Sequence, residues 1–98
     1  EEIDPKRFPC LAISIKAAKQ GGGAPAVLNG ANETLVDSFL EEEINFLDIS
    51  KNLHSVMQQF YKTISLTEVP SFLKLISTIE DAVKADQWGR EQALKCMS

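Results

Sequence analysis

Three consecutive glycines, Gly21, Gly22 and Gly23, with Pro25 close behind, set the first constraint on this chain. Glycine alone enters left-handed backbone geometry without a steric penalty, and a run of three makes continued helix entropically unfavourable. Both flanking stretches carry apolar residues at helical spacing, so the triplet marks a corner between two helices. Before it, Leu11, Ile15 and Ala18 recur behind Pro9, whose missing N–H suits the first turn of a helix. That spacing predicts a first helix from Pro9 to about Gln20. After it, Leu28, Ala31, Leu35 and Phe39 mark one face, widened by Val36 and Leu40, which predicts a central helix buried over more than half its circumference. A phosphate-cradling loop is a poor reading of the glycines, because no strand pattern precedes them and neither the lysine nor the hydroxyl of a P-loop follows.

Further along, Glu41, Glu42 and Glu43 form a solvated helix end, and Ile44 to Leu47 a connection. Asp48 then caps or leads a third helix carrying Ile49, Leu53, Val56 or Met57, and Phe60, which fades near Lys62 or Thr63. Ile64 to Thr78 mixes β-branched residues with Pro70 and predicts an irregular connection with room for a short helix after the proline. Ser77 or Thr78 can cap a short helix over Ile79 to Ala85, and Asp86 a final one with Trp88, Ala93, Leu94 and Met97. Gly89 inside that helix costs up to about 1 kcal/mol relative to alanine, so it calls for a close helix contact or simple tolerance. The expected fold is all-α, a small helical bundle of about four helices over residues 9–98, with the charged, proline-bearing residues 1–8 as a linker from upstream.

Size and charge narrow the function. A chain of 98 residues with 44% hydrophobic content has room for one core and a shallow groove, but not for a pocket holding both a dinucleotide and a sugar phosphate. The net charge of −4 and the lack of a basic stripe argue against nucleic acid and anionic membranes as partners, and every apolar run falls far short of the roughly 20 residues a bilayer requires. Cys10 and Cys96, one near each end, read as two reduced, buried thiols of a cytoplasmic protein rather than a disulfide. The single histidine, His54, lies beside the core stripe without a nucleophile or an orienting partner, and three adjacent glutamates point in different directions and cannot converge on a metal. The expected catalytic, cofactor-binding and metal residues of this segment are therefore none, and the chain reads as a structural or interaction domain.

Three segments occur in a telling order: RFPCLAI from Arg7 to Ile13, GGGAPAVLNGANETLVDSF from Gly21 to Phe39, and INFLDIS from Ile44 to Ser50. Together they resemble the C-terminal region of the 1-deoxy-D-xylulose 5-phosphate reductoisomerases, where FPCL, GG-x-x-P-A-V-L-N-x-A-N-E and I-x-F-x-D-I segments follow one another. IEDAVKADQWGRE, from Ile79 to Glu91, is similar to the closing stretch of that family. Gly30, where alanine is usual, and Leu47, where a hydroxyl residue commonly caps the third helix, depart from it, and residues 64–78 match nothing in it. The resemblance implies that the full-length enzyme converts 1-deoxy-D-xylulose 5-phosphate to 2-C-methyl-D-erythritol 4-phosphate in the non-mevalonate isoprenoid pathway, using NADPH and Mg or Mn. It further implies a homodimer, in the bacterial cytoplasm or a plastid-type organelle, whose nucleotide-binding fold, metal ligands, substrate-phosphate residues and lid lie upstream of Glu1. The partner of this domain would be its own upstream catalytic domain. Asn29, Asn32 and Glu33 are the candidates for that interdomain contact, because they exceed what capping needs, although capping and local packing explain them equally well. The reading from a different class is an independent helical adaptor that binds a partner protein.

Overall fold

The reversal expected at the glycines is present in the computed structural model, which describes Asp4 and residues 6–98; part of the expected linker, residues 1–8, lies outside the described residues. Those residues form an all-α fold with helices α1 (Pro9–Gln20), α2 (Ala24–Leu40), α3 (Phe46–Ile64), α4 (Ser71–Lys74) and α5 (Ile79–Met97). Pro9 occupies the first turn of α1, and Gly21 ends the helix at φ +70°, its N–H bonded to the Ala17 carbonyl at 3.1 Å. Gly22 follows, also at positive φ. The Gly23 N–H then donates to the Leu73 carbonyl at 3.0 Å, so the corner is covered by α4.

The helix termini differ from the sequence reading in two places. α3 begins at Phe46, two residues before Asp48, because Asp48 sits one turn in and its carboxylate accepts the N–H of Asn45 at 2.9 Å. Leu47 therefore lies in the first turn and not at a cap. The two short helices expected after Ser77 are one continuous α5. Thr78 caps it, accepting the Asp81 N–H at 3.0 Å, but Asp86 caps nothing. Its carboxylate is drawn instead to Arg90 one turn later, at 2.6 Å, which leaves the backbone free to continue as helix.

The core is built mainly from α2, α3 and α5. Val27, Ala31 and Leu35 of α2 meet Ile49, Leu53, Val56, Met57 and Phe60 of α3, Ala85 and Ala93 of α5, and Leu73 of α4, all buried. The third-helix stripe is thus buried as expected. Two faces are corrected. On α1 the core-facing residues are Ala17, fully buried, and Ile13, while Leu11 and Ala18 are exposed, because α1 touches α2 and α3 along one narrow stripe only. On α2, Val27 replaces Leu40, which closes the helix beyond its neighbours and is left in solvent.

The largest helix contact joins α2 to α5, and glycine makes it possible. A Cβ on Gly30 would collide with the Asp86 carbonyl, and one on Gly89 with the Val27 carbonyl. Pairing 30 with 86 and 27 with 89 runs the helices antiparallel, backbone against backbone, a proximity that also suits weak Cα–H···O contacts. Trp88, beside Gly89, then packs edge-on against Phe60 with centroids 6.1 Å apart, joining α5 to α3. Gly89 is therefore a contact glycine. Replacing it by alanine ought to gain about 1 kcal/mol of helix propensity, yet a clash with a neighbouring backbone cannot be relieved by a rotamer change and costs about 1–3 kcal/mol or more. Gly89→Ala is expected to lower the urea unfolding midpoint, whereas Glu91→Ala, on the exposed side of the same helix, stays within about 0.5 kcal/mol of the parent.

Candidate functional site

Two of the three residues expected at an interdomain contact are engaged inside the domain. Asn29 Nδ2 donates to Glu33 Oε2 at 3.0 Å and to Asp86 Oδ2 at 3.1 Å, while Arg90 donates to Asp86 Oδ1 through Nε and to Glu33 Oε2 through Nη2 at 3.0 Å. The four side chains form a clamp across the α2–α5 seam, directly outside the glycine contact. Helix capping, the other sequence reading, is not their role: no side chain caps α2, and its first turn contains no acidic residue. The hydrogen bond to Asp86, together with the charges of Asp86 and Glu33, raises the Arg90 guanidinium above its usual range. A group with a raised folded-state pKa contributes fully below its unfolded value and loses that contribution only as pH climbs through it, so Arg90 stays charged across any ordinary pH. The sequence reading takes Asp86 for a helix cap and assigns nothing to Arg90, although their four-residue spacing, matched by Asn29 and Glu33 on α2, is a readable sign of a side-chain pair.

Asn32 differs. It is exposed, and its position lines a groove of about 270 Å³ with Cys10, Ser14, Pro25, Leu28, Asn29 and Leu53. Cys10 also belongs to a second groove, of about 410 Å³, with Phe8, Leu11, Phe46, Leu47 and Ile49. Across Pro9 and Ser50 this one continues into a third, of about 500 Å³, with Ala12, Ile13, Lys16, Lys51 and His54. The first two grooves meet at Cys10 and the last two at Pro9 and Ser50, so together they flank α1.

Neither cysteine is buried as expected: Cys10 is exposed, Cys96 half-buried, and both are free. Partial desolvation raises both thiols, which leaves them poor nucleophiles at neutral pH. His54 is exposed, as expected of a boundary histidine, and lies 3.3 Å from Gln58. Among the described residues no three His, Cys, Asp or Glu side chains group closely enough to hold a metal ion, and no helix is long and apolar enough to cross a membrane. Tyr61 carries the Lys16 ammonium 4.4 Å from its ring centroid, and its enclosed hydroxyl has no hydrogen-bond partner.

With this geometry in place, the likenesses are informative. The family model described as DXP reductoisomerase C-terminal domain matches residues 1–92. This chain belongs to that family. The 1-deoxy-D-xylulose 5-phosphate reductoisomerase of Microcystis aeruginosa is 38% identical over 97 residues, covering 99% of this chain and 23% of its own length. That of Chlorobium phaeobacteroides is 38% identical over 95 residues, 95% of this chain and 21% of its own length. A solved structure, the reductoisomerase from Zymomonas mobilis in complex with NADPH, superposes with a TM-score of 0.78 at 35% identity, covering all of this chain and 23% of that one. The chain thus spans less than a quarter of the length of these relatives. At Gly30 the Asp86 carbonyl leaves no room for the Cβ of an alanine.

Two stability outcomes follow from the clamp and from Tyr61. Arg90→Met, which keeps the apolar stem, is expected to cost about 1 kcal/mol, discounted because Glu33 is more than half exposed, and the loss is expected to shrink in 1 M salt. Burial pushes the Tyr61 phenol above its ordinary value of 10.0, so its contribution is intact below that value and is lost as pH rises through it. Urea titrations between pH 9 and 11 are expected to show a steeper fall for the parent than for Tyr61→Phe.

Proposed function

We propose that this domain is the non-catalytic, C-terminal helical part of a complete DXP reductoisomerase, an NADPH-dependent oxidoreductase that converts 1-deoxy-D-xylulose 5-phosphate to 2-C-methyl-D-erythritol 4-phosphate. The observation that carries this reading is the likeness to the Zymomonas enzyme, which runs the whole length of the chain and occupies under a quarter of that protein. Such a likeness favours an integral domain of a larger enzyme over an independent helical adaptor. The chemistry then resides in the remainder of the polypeptide, residues 1–8 are the connection to it, and the complete protein is a homodimer in the bacterial cytoplasm or a plastid-type organelle.

The residues of this domain do not fit the groups that such an enzyme uses. The glycine corner has no space for a pyrophosphate, because a Cβ on Gly22 or Gly23 would already collide with the backbone of residues 72–74. The carboxylates of Glu33 and Asp86 are occupied by Asn29 and Arg90, which makes them a structural pair and not a ligand set for Mg or Mn. NADPH and the divalent metal are accordingly assigned to the rest of the enzyme, and no catalytic residue to this segment. The contact role of Asn29, Asn32 and Glu33 divides in two: Asn29 and Glu33 hold the α2–α5 edge in position, and Asn32 presents its amide to the upstream domain from the adjoining groove.

NADPH oxidation with 1-deoxy-D-xylulose 5-phosphate and Mg or Mn tests the assignment, and activity is expected in the protein extended to its natural start and not in this domain alone. Turnover by the isolated domain, or none by the extended protein, overturns it. Asn32→Ala in the full-length protein is expected to leave thermal stability within about 0.5 kcal/mol of the parent while increasing protease cleavage between the domains. Lost stability with unchanged cleavage would remove the contact role.

A further inference from the structure

Phe46 and Leu47 open α3 as adjacent large apolar residues, and both lie in solvent, 68% and 77% exposed. Across the groove from them stand Phe8, at 47%, and Leu11, at 48%. Scattered exposed apolar residues are ordinary, but four such side chains lining one indentation mark it as a contact surface. Phe39 meets Phe46 edge-on, with ring centroids 5.7 Å apart, and the Arg7 guanidinium lies 5.5 Å from the Phe8 centroid, while Leu11 and Leu47 stay open to solvent among the described residues.

The occupant is identified by charge and by connectivity. The chain is acidic overall at −4, yet the side chains bordering these two grooves include Lys6, Arg7, Lys16, Lys51 and His54, and no acidic residue lines either one. The lining of the two grooves is thus apolar and basic, and the nearest carboxylates, Asp48 and Asp4, accept the backbone N–H groups of Asn45 and Lys6. Lys6, Arg7 and Phe8 line the groove themselves, so the polypeptide enters the domain along it. Because the family is a C-terminal domain, and its relatives are more than four times as long as this segment, the rest of such a protein arrives through this entrance.

We infer that the face formed by Phe8, Leu11, Phe46 and Leu47, with its basic rim, seats the polypeptide immediately upstream of this domain in the full-length protein. That segment presents apolar side chains to the groove and carboxylates to Lys6, Arg7, Lys16 and Lys51. The inference rests on the reading of the chain as the C-terminal part of a longer enzyme. Covering Leu47 and its neighbours holds the upstream domain at a fixed angle to the bundle, whereas the clamp of Asn29, Glu33, Asp86 and Arg90 acts within the bundle.

The test compares Leu47→Glu with Ile79→Glu in the full-length protein. Ile79 is 86% exposed at the start of α5 and serves as the matched control for adding a charge to an exposed apolar site. Limited proteolysis ahead of Phe8 is read with the molar mass in solution and the far-ultraviolet circular dichroism. Leu47→Glu is expected to speed cleavage ahead of Phe8 about tenfold, the factor that corresponds to losing the burial of one leucine side chain, at unchanged helix content and mass. Ile79→Glu is expected to cleave at the parental rate. Equal rates for the two variants overturn the inference, as does a Leu47→Glu protein that halves its mass without faster cleavage, since a second copy of the chain would then be the occupant. If Leu47→Glu loses helix content, Leu11→Gln replaces it under the same criteria. Reductoisomerase activity of the parent is scored separately: its absence removes the enzyme assignment, while the cleavage comparison still decides where the upstream segment sits.

Discussion

The close approach of α2 and α5 is the contact on which the rest of the bundle depends. Gly30 lies against the Asp86 carbonyl and Gly89 against the Val27 carbonyl, so two helix backbones meet with no side chain between them. Such proximity aligns what flanks it. Trp88 is brought to the edge of Phe60, which ties α5 to α3, and Ala85 and Ala93, small enough to stay under the neighbouring helices, are fully buried. On the solvent side the same approach places Asp86 and Arg90 within reach of Asn29 and Glu33, and the clamp closes over the seam. Helices held farther apart could form neither the aromatic contact nor the clamp.

A second constraint operates at the glycine corner. Gly21 and Gly22 reverse the chain, and Gly23 ties the start of α2 to Leu73, so a four-residue helix in an otherwise irregular connection becomes the lid of the corner. The corner is structural because Gly22 and Gly23 lie against the backbone of residues 72–74 and the Gly21 and Gly23 N–H groups are bonded. The polar residues that follow it are likewise committed, except Asn32, which faces the indented surface around α1. Two kinds of surface therefore coexist on this small domain: a seam closed by its own polar groups, and a face of exposed phenylalanine and leucine bordered by lysine and arginine. The distinction suits a domain that spans less than a quarter of the length of its relatives.

Legibility varied with the range of the forces involved. The limits of α1, the stripe Ile49, Leu53, Val56, Met57 and Phe60, the short helix after Pro70 and the Thr78 cap could be read from the sequence, because each depends on interactions within a turn or two of helix. Less legible was the division of α5. Asp86 has the chemistry of a cap, and only the presence of Arg90 and Asn29 on its carboxylate shows why the helix passes through it. The face of α1 was misjudged for a related reason: Leu11, Ile15 and Ala18 have helical periodicity, but which part of a helix is buried depends on where its neighbours stand.

Sequence by itself determined the all-α class, the corner that separates α1 from α2, the core face of α3 and the kinship with a reductoisomerase family, since local backbone preferences, 3.6-residue periodicity and motif order are all written along one dimension. Tertiary structure alone decided that Gly89 and Gly30 are contact residues, that Asn29 and Glu33 are bound to α5 while Asn32 is free, and that Phe8, Leu11, Phe46 and Leu47 share one uncovered face. Each of these depends on residues tens of positions apart meeting across a helix interface, and the cost or gain of a side chain there is set by the atoms opposite it, which no local pattern encodes.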